Sequence, residues 1–458
     1  MKLKALVGAA ALAALTCGSA VFASDDQQPS SSNTDLPVLM DTAGPATTPG
    51  MAPETPPPPA PPPATSPAST SPPPTPVMYF LGKTSFGQWL SNNNFNITGY
   101  VEGGYFYDTN NPSLGTGLTG DAPTFITFPG AYSNRVLLDQ LDLTLSKSLD
   151  TTGDKKFDWG FTFETGYGTD YSYYHSHGLL DNRPPGDPQN QYDITQANVL
   201  FLLPVGSGLT LTAGKFLALL GQEVNSPVGN LFYTHSYSFF YGVPDNNTGV
   251  IGSYTFSKLV NGNDWTATAG FSNGWNQSLR DNNGAIDFLG QFKGSFNSAF
   301  SLVTNIEEGP EAANDNSDYW TTIEAIPSLT VSDQLTLTAD CLYSDAPHLA
   351  TTTPGASAQW YGVCGYASYK INGMFTLNTR AEWFRDQGGL ETGNQANYYE
   401  LTLGTQIHPL PNDTIFQFLE VRPEIRGDAS DRRVFDSSHP GFAEYSELTA
   451  ALDVVMQF

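Results

Sequence analysis

The sequence has 458 residues, of which 14% are charged and 12% aromatic, and its formal net charge is −26. Ordinary soluble domains carry about 25% charged residues, so this composition argues against a soluble enzyme. The acidic excess excludes nucleic acid as an expected partner, because phosphate binding depends on clustered lysine and arginine. After the first 23 residues no run of 18 apolar residues occurs, so a membrane passage would have to use strands.

Residues 1–23 have the pattern of a secretory signal peptide. A positively charged start and an apolar run precede Val21-Phe22-Ala23, which suits cleavage after Ala23. Cys17 leaves lipoprotein processing open as an alternative, although Thr16 fits poorly directly before such a cysteine. We therefore expect an exported protein and exclude this segment from the fold.

Residues 24–78 consist mainly of Pro, Ala, Ser and Thr. Such a segment cannot bury enough apolar surface to offset its ordering entropy, so the composition predicts a disordered, extended linker. At about 3.1 Å per residue it could span on the order of 150 Å. It is either a periplasmic tether that contacts the cell wall or an inert spacer.

We assign residues 79–458 to one barrel domain, in which the chain from about Phe95 onward alternates between apolar and polar residues with a period of two. Leu141, Leu143 and Leu145, for example, oppose Gln140 and Asp142. Sixteen segments follow this pattern, each long enough for a tilted strand that crosses a membrane, and fourteen or eighteen strands remain compatible. The connections between them alternate between long and short. Strands that start and end on one side of a membrane produce this asymmetry, whereas a soluble sandwich has no reason for it. We therefore predict an all-β fold, a transmembrane antiparallel β-barrel.

Charged residues are predicted on the inner face of three late strands. They share the parity opposite to the apolar residues and comprise Arg380, Glu382, Glu400, Glu420, Arg422, Glu424 and Arg426. They would either create a field that orients polar solutes in the lumen or form salt bridges that hold the wall together.

The connection from Leu219 to Asn246 is long and rich in Tyr and Phe, and it carries Glu223, His235 and Asp245. A mostly apolar loop is ill-suited to free solution, so we expect it to pack into the lumen and narrow it. The alternative is an external plate that contacts lipopolysaccharide or a neighbouring subunit.

The remaining candidates for chemistry are few. Cys341 and Cys364 could form a disulfide in an oxidising compartment, but their strand parities place them on opposite faces. His175 and His177 lack a third metal ligand in clear register. No nucleophile, zinc or phosphate motif occurs, so we predict no catalytic residues, no metal and no cofactor.

The last strand alternates up to a terminal aromatic residue, Phe458, which resembles the signal read by the barrel-assembly machinery. Four further segments resemble the OmpL-like β-barrel porins (BBP2): Gly99-Tyr100-Val101-Glu102-Gly103-Gly104-Tyr105 with Asn110-Asn111-Pro112, the run 134–147, and the stretches 193–216 and 221–241. The resemblance covers residues 80–458 and implies an outer-membrane pore without specifying its substrate.

Together these features predict an outer-membrane channel for passive diffusion of small hydrophilic solutes, with a mild preference for cations. The alternative is a plugged barrel that serves as a structural anchor or adhesin, with its linker on the cell wall. Expected partners are outer-membrane lipid, lipopolysaccharide and the assembly machinery, and a homotrimer is one option for the oligomer.

Overall fold

The computed structural model describes residues 73–110, 133–151, 156–182, 189–436 and 443–458. The predicted signal peptide, residues 1–23, and residues 24–72 of the predicted linker lie outside the described residues. Among the described residues, no helix is long and apolar enough to cross a membrane.

Sixteen strands of the described chain close into one antiparallel barrel, as the alternation predicted. Fifteen of them follow one another around the wall, and the last strand of the chain fills the gap between the fifteenth and the first. The strands are β1 (Phe95–Asp108), β2 (Arg135–Lys147), β3 (Asp158–Gly168), β4 (Gln191–Leu203), β5 (Leu209–Leu217), β6 (Asn246–Val260), β7 (Asn263–Ser272), β8 (Asp287–Ser295), β9 (Phe300–Pro310), β10 (Tyr319–Thr330), β11 (Leu335–Ala346), β12 (Ala358–Lys370), β13 (Phe375–Asp386), β14 (Ala396–Ile407), β15 (Leu419–Ser430) and β18 (Ser446–Gln457). Two short strands, β16 (Phe435–Asp436) and β17 (Ala443–Glu444), pair with each other in the connection before β18.

The ring is closed where the first and last strands meet. Tyr100 pairs with Gln457, and beyond it the backbone N–H of Phe458 donates to the Gly99 carbonyl at 2.8 Å. A β-carbon on Gly99 would come within 2.6 Å of the Phe458 ring, so the closing residue requires a glycine here. Closure leaves no unpaired sheet edge, which hydrocarbon would not tolerate.

The two faces of the wall differ as the period of two predicts. Leu141 and Leu143 on β2 are exposed on the outer face, whereas Gln140 and Asp142, which alternate with them, are buried on the inner face. An apolar outer face and a polar inner face are the distribution expected when lipid surrounds the barrel.

Connections at the two ends of the barrel differ in length, which confirms the predicted asymmetry. Most of those at one end are tight, at residues 204–208, 261–262, 296–299, 331–334 and 371–374. Those at the other end are longer, and among them are residues 169–190, 218–245, 273–286, 311–318, 347–357 and 387–395.

Two short helices precede the barrel, α1 (Pro76–Leu81) and α2 (Ser85–Asn92), and α1 overlaps the last three residues of the predicted linker. The Thr84 hydroxyl caps α2 by accepting from the Gly87 N–H at 3.0 Å. Trp89 is half exposed and stacks on Phe95 of β1, with ring centroids 5.4 Å apart. The second helix thus presents an aromatic face beside the outer surface of the wall.

Candidate functional site

The connection between β5 and β6, residues 218–245, lies inside the barrel, and we call it the lumen loop. Gly221 donates its N–H to Glu324 of β10 at 3.0 Å, and the Asn225 carbonyl accepts from Gln140 of β2 at 2.9 Å. The Leu231 carbonyl accepts from Asn378 of β13 at 3.3 Å. These strands lie on distant parts of the ring, so one loop reaches all of them only through the lumen.

Aromatic packing explains why the loop enters the barrel. A short helix, α3 (Tyr237–Gly242), is capped by Ser236, whose hydroxyl accepts from the Phe239 N–H at 3.1 Å. Tyr237 and Phe239 join a buried cluster with three inward-facing residues of the wall, which are Trp360, Phe384 and Tyr398. Burying these rings stabilises the loop inside the lumen by about 25 cal/mol per Å² of apolar surface.

Two carboxylates of the inner wall hold the backbone of the loop. Glu424 accepts from the N–H groups of Tyr233 and Thr234 at 2.8 and 3.2 Å. Glu382 accepts from the N–H groups of Tyr237 and Ser238 at 2.6 and 2.7 Å. Hydrogen bonds to ionised groups contribute about 1.5–3 kcal/mol each, so these acids fix the path of the loop.

Two arginines of β15 bind loop carbonyls. Arg422 donates to the Pro227 carbonyl at 2.8 Å and pairs with Glu102 at 3.0 Å and with Asp453. Arg426 donates to the His235 carbonyl at 2.5 Å and pairs with Asp428 at 2.8 Å. Both guanidinium groups are buried, and each one therefore links the wall to the loop.

Arg380 is the centre of a buried network at the middle of the loop. It pairs with Glu223 of the loop at 2.9 Å and with Glu400 of β14 at 3.1 Å. The His235 ring lies 2.9 Å from Glu223 through Nδ1 and 3.1 Å from the Tyr174 hydroxyl through Nε2. Burial raises the pKa of Glu223, but the nearby Arg380 and His235 outweigh that effect and hold the pKa at about 2. Burial lowers the pKa of His235, so a neutral ring donates from Nδ1 and accepts at Nε2.

Eight of the ten charged positions singled out from the sequence meet in this assembly. They are Glu223, His235, Arg380, Glu382, Glu400, Arg422, Glu424 and Arg426. Glu420 instead accepts from Gln406 at 2.7 Å, and Asp245 lies at the base of the loop, where Asn276 contacts it at 3.3 Å. Neither side chain bonds the loop directly to a barrel strand, although Gln406 also donates to the Asn230 carbonyl of the loop at 3.5 Å.

Sequence reasoning missed the partners of Arg422. Glu102 and Asp453 are buried on the inner faces of β1 and β18. The sequence does place Asp453 on the polar face of its strand, because it alternates with the apolar residues of the last strand. Only the closed ring shows that β18 pairs with β15 and that β1 follows on the other side of β18.

The inner wall is strongly acidic. Four basic side chains are buried on the described strands, namely Lys215, Arg380, Arg422 and Arg426. Seventeen buried carboxylates accompany them, which are Glu102, Asp108, Asp139, Asp142, Asp193, Asp287, Glu307, Glu324, Asp340, Glu382, Asp386, Glu400, Glu420, Glu424, Asp428, Glu447 and Asp453. Such an excess lowers the electrostatic potential inside a low-dielectric wall.

The two cysteines of the barrel lie on neighbouring strands and are not joined by a disulfide. Cys341 pairs in register with Val363, and Cys364 pairs with Asp340. Because successive residues of a strand point to opposite faces, this register directs the two sulfur atoms away from each other.

The histidine pair near residue 175 also has a structural role. His175 contacts Asp181 at 3.1 Å and Asp193 at 3.5 Å. The backbone of His177 bonds to Asn276 and Ser278, which ties the connection 169–190 to the connection 273–286.

We expect the carboxylates of Glu382 and Glu424 to limit the mobility of the lumen loop. The double variant E382Q/E424Q should show larger current noise and more frequent sub-conductance steps, because an amide replaces a charge-assisted acceptor at both places. Single-channel recording of the two proteins under identical salt would measure this.

The control is E420Q, which alters the same strand and the same face as Glu424, but at a side chain whose described hydrogen bond goes to Gln406 and not to the loop itself. Equal noise in E420Q and in the double variant would contradict the role given to Glu382 and Glu424.

Comparison with known families identifies the relatives of the barrel. The family described as "Putative beta-barrel porin-2, OmpL-like" matches residues 94–458. The chain belongs to this family. The match begins one residue before β1 and ends with Phe458, so it covers the whole barrel. The family and the closed barrel indicate an outer-membrane protein and point to a channel rather than an enzyme.

Solved structures that resemble this barrel include an outer membrane channel and a porin. The outer membrane channel DcaP of Acinetobacter baumannii is 12% identical with a TM-score of 0.48, over 80% of this chain and 97% of that one. The anion-selective porin from Comamonas acidovorans and Salmonella typhi OmpF in complex with daunomycin are each 12% identical with a TM-score of 0.49, over 80% of this chain and 99% of theirs. Scores below 0.5 at such identities support no transfer of function. Among curated proteins, none matches significantly.

Proposed function

We propose that this protein lets small hydrophilic solutes diffuse passively across the outer membrane, through a lumen that the loop at residues 218–245 narrows. The observation that carries the proposal is the loop itself, which hydrogen-bonds to the inner face of the wall from β2 to β15. A barrel of sixteen strands is wide enough for an aqueous channel. A loop fixed across it limits the size of solutes that pass.

The charge of the inner wall favours cations. Several acids are occupied by the loop, since Glu382 and Glu424 accept backbone N–H groups and Glu400 pairs with Arg380. On β2, however, none of the hydrogen bonds and ion pairs described for Asp139 and Asp142 involves a basic side chain. Carboxylates without a cationic partner attract mobile cations into the lumen and repel anions.

A planar bilayer with a salt gradient tests both parts of this proposal on the full chain. Stable open steps with a reversal potential shifted toward the equilibrium potential of the cation support a cation-preferring channel. A reversal potential shifted toward the equilibrium potential of the anion contradicts the role of the acidic wall. A folded barrel that never conducts contradicts diffusion.

The second candidate function is a plugged barrel that anchors the envelope, and one observation favours it. The apolar cluster of α3 and the inner wall extends to Val434 and Phe435 in the connection before β18, so two connections fill the same side of the lumen. In this alternative the Pro-rich segment 24–78 lies in the periplasm and contacts the cell wall. Binding of the full chain to purified cell wall, lost on deletion of residues 24–72, together with absent conductance, would support it.

A further inference from the structure

Three carboxylates gather on the inner face at the end of the barrel that carries the long connections. Asp287 begins β8, Glu307 lies on β9, and Glu311 directly follows β9. All three are buried, and their ligand oxygens lie within 4.8 Å of one another. Gly309 makes this approach feasible, because a β-carbon there would meet the Asp287 carboxylate at 1.7 Å.

The described residues provide no cationic side chain to balance this cluster. None of the ion pairs formed in the described part of the chain includes Asp287, Glu307 or Glu311. Three carboxylates in such contact must therefore share either protons or a cation.

The neutral side chain of Asn247 favours a bound cation over shared protons. Asn247 of β6 is fully buried, and its Nδ2 lies 2.8 Å from Glu307 Oε1. Within the described ranges, Asn247 Oδ1 and Glu307 Oε2 are both buried without a hydrogen-bond partner. Protons shared among the three acids leave the Asn247 oxygen unsatisfied, whereas a metal ion accepts an amide oxygen as a ligand.

We propose that Asp287, Glu307, Glu311 and Asn247 bind one divalent cation, and that Ca²⁺ is the ion that fits best. All donors are oxygens, which hard cations prefer. The carboxylate oxygens lie within 4.8 Å of one another, so one ion with ligand distances of about 2.3–2.6 Å can contact all three groups. Mg²⁺ fits less well because it usually keeps several waters and is bound by only one or two carboxylates.

The ion would connect several elements at this mouth of the barrel. The ligands come from β6, β8 and β9 and from the connection after β9. Glu311 also accepts from the Trp275 N–H at 2.7 Å, and its carbonyl accepts from Asn282 at 2.8 Å. Bound Ca²⁺ would therefore cross-link the connections 273–286 and 311–318 to the wall and stabilise both.

Calorimetric titration of the EDTA-treated full-length protein in detergent with CaCl₂ tests the proposal. We expect one saturable site per chain and a melting temperature that rises with Ca²⁺ concentration. Tb³⁺ should bind at the same place and emit when tryptophan is excited, because Trp275 lies beside Glu311. Absence of saturable Ca²⁺, Mg²⁺ or Tb³⁺ binding to the folded wild type would overturn the proposal.

Two variants and one control locate the site. E307Q and N247A should each weaken Ca²⁺ binding by more than about tenfold. Mutating residues that only orient a metal ligand already costs about tenfold or more, and a ligand itself should cost at least as much. N247A removes no charge and so provides a second variant should E307Q not fold. The control E308Q removes the same charge from the adjacent, outward-facing position. A loss in E308Q as large as in E307Q would show surface binding and contradict the site.

Discussion

Replacing Arg380 with methionine is expected to lower the free energy of unfolding by about 3–5 kcal/mol. The guanidinium is fully buried, pairs with Glu223 and Glu400, and donates to the Thr234 carbonyl at 2.6 Å. Methionine fills similar space but leaves two carboxylates near each other without their cation. Denaturant unfolding of the barrel in detergent, followed by tryptophan fluorescence, measures the difference.

The matched control is R385M, on the same strand and five residues away. Arg385 is partly exposed and contacts Asp431 at 3.7 Å, so its loss should change the free energy of unfolding by about 1 kcal/mol or less. A similar cost in the two variants would show that the lumen network contributes no more than a surface pair. Partial recovery in the double variant R380M/E223Q is also expected, because one of the two unpaired charges is then removed.

Replacing residues 222–242 with a short Gly-Ser turn is expected to raise single-channel conductance several-fold. The segment carries α3 and the backbone groups that bind Glu382 and Glu424, so its removal clears the lumen of its largest obstruction. The charged wall residues would then be hydrated by lumen water rather than left buried without partners, and the barrel should still fold. Bilayer recording of wild type and variant in the same salt provides the measurement.

The control for this replacement deletes residues 352–355, which form the tip of the connection between β11 and β12 and are all exposed. It should leave conductance unchanged, because no residue of that tip enters the lumen cluster. If the wild type does not conduct and the loop variant does, the result would favour the plugged anchor. Equal conductance of wild type and loop variant would contradict the position of the loop as the constriction.

The sequence by itself determined the architecture of the barrel. Leu141 and Leu143 alternate with Gln140 and Asp142, and that period of two assigns each side chain to lipid or to lumen wherever a strand forms. Alternating long and short connections specify the antiparallel order and the end at which the loops gather. Both signals are local in sequence, so one chain suffices to detect them.

Only the tertiary structure decided which inward residues meet. Arg422 pairs with Glu102 across 320 positions of sequence, and Arg380 pairs with Glu223 across 157. The same holds for Asn247 and Glu307, which approach through the curvature of the wall. Alternation identifies the face on which a residue lies, but partners depend on strand register, on closure of the ring and on the path of a loop across it. These are long-range properties, and no local period encodes them.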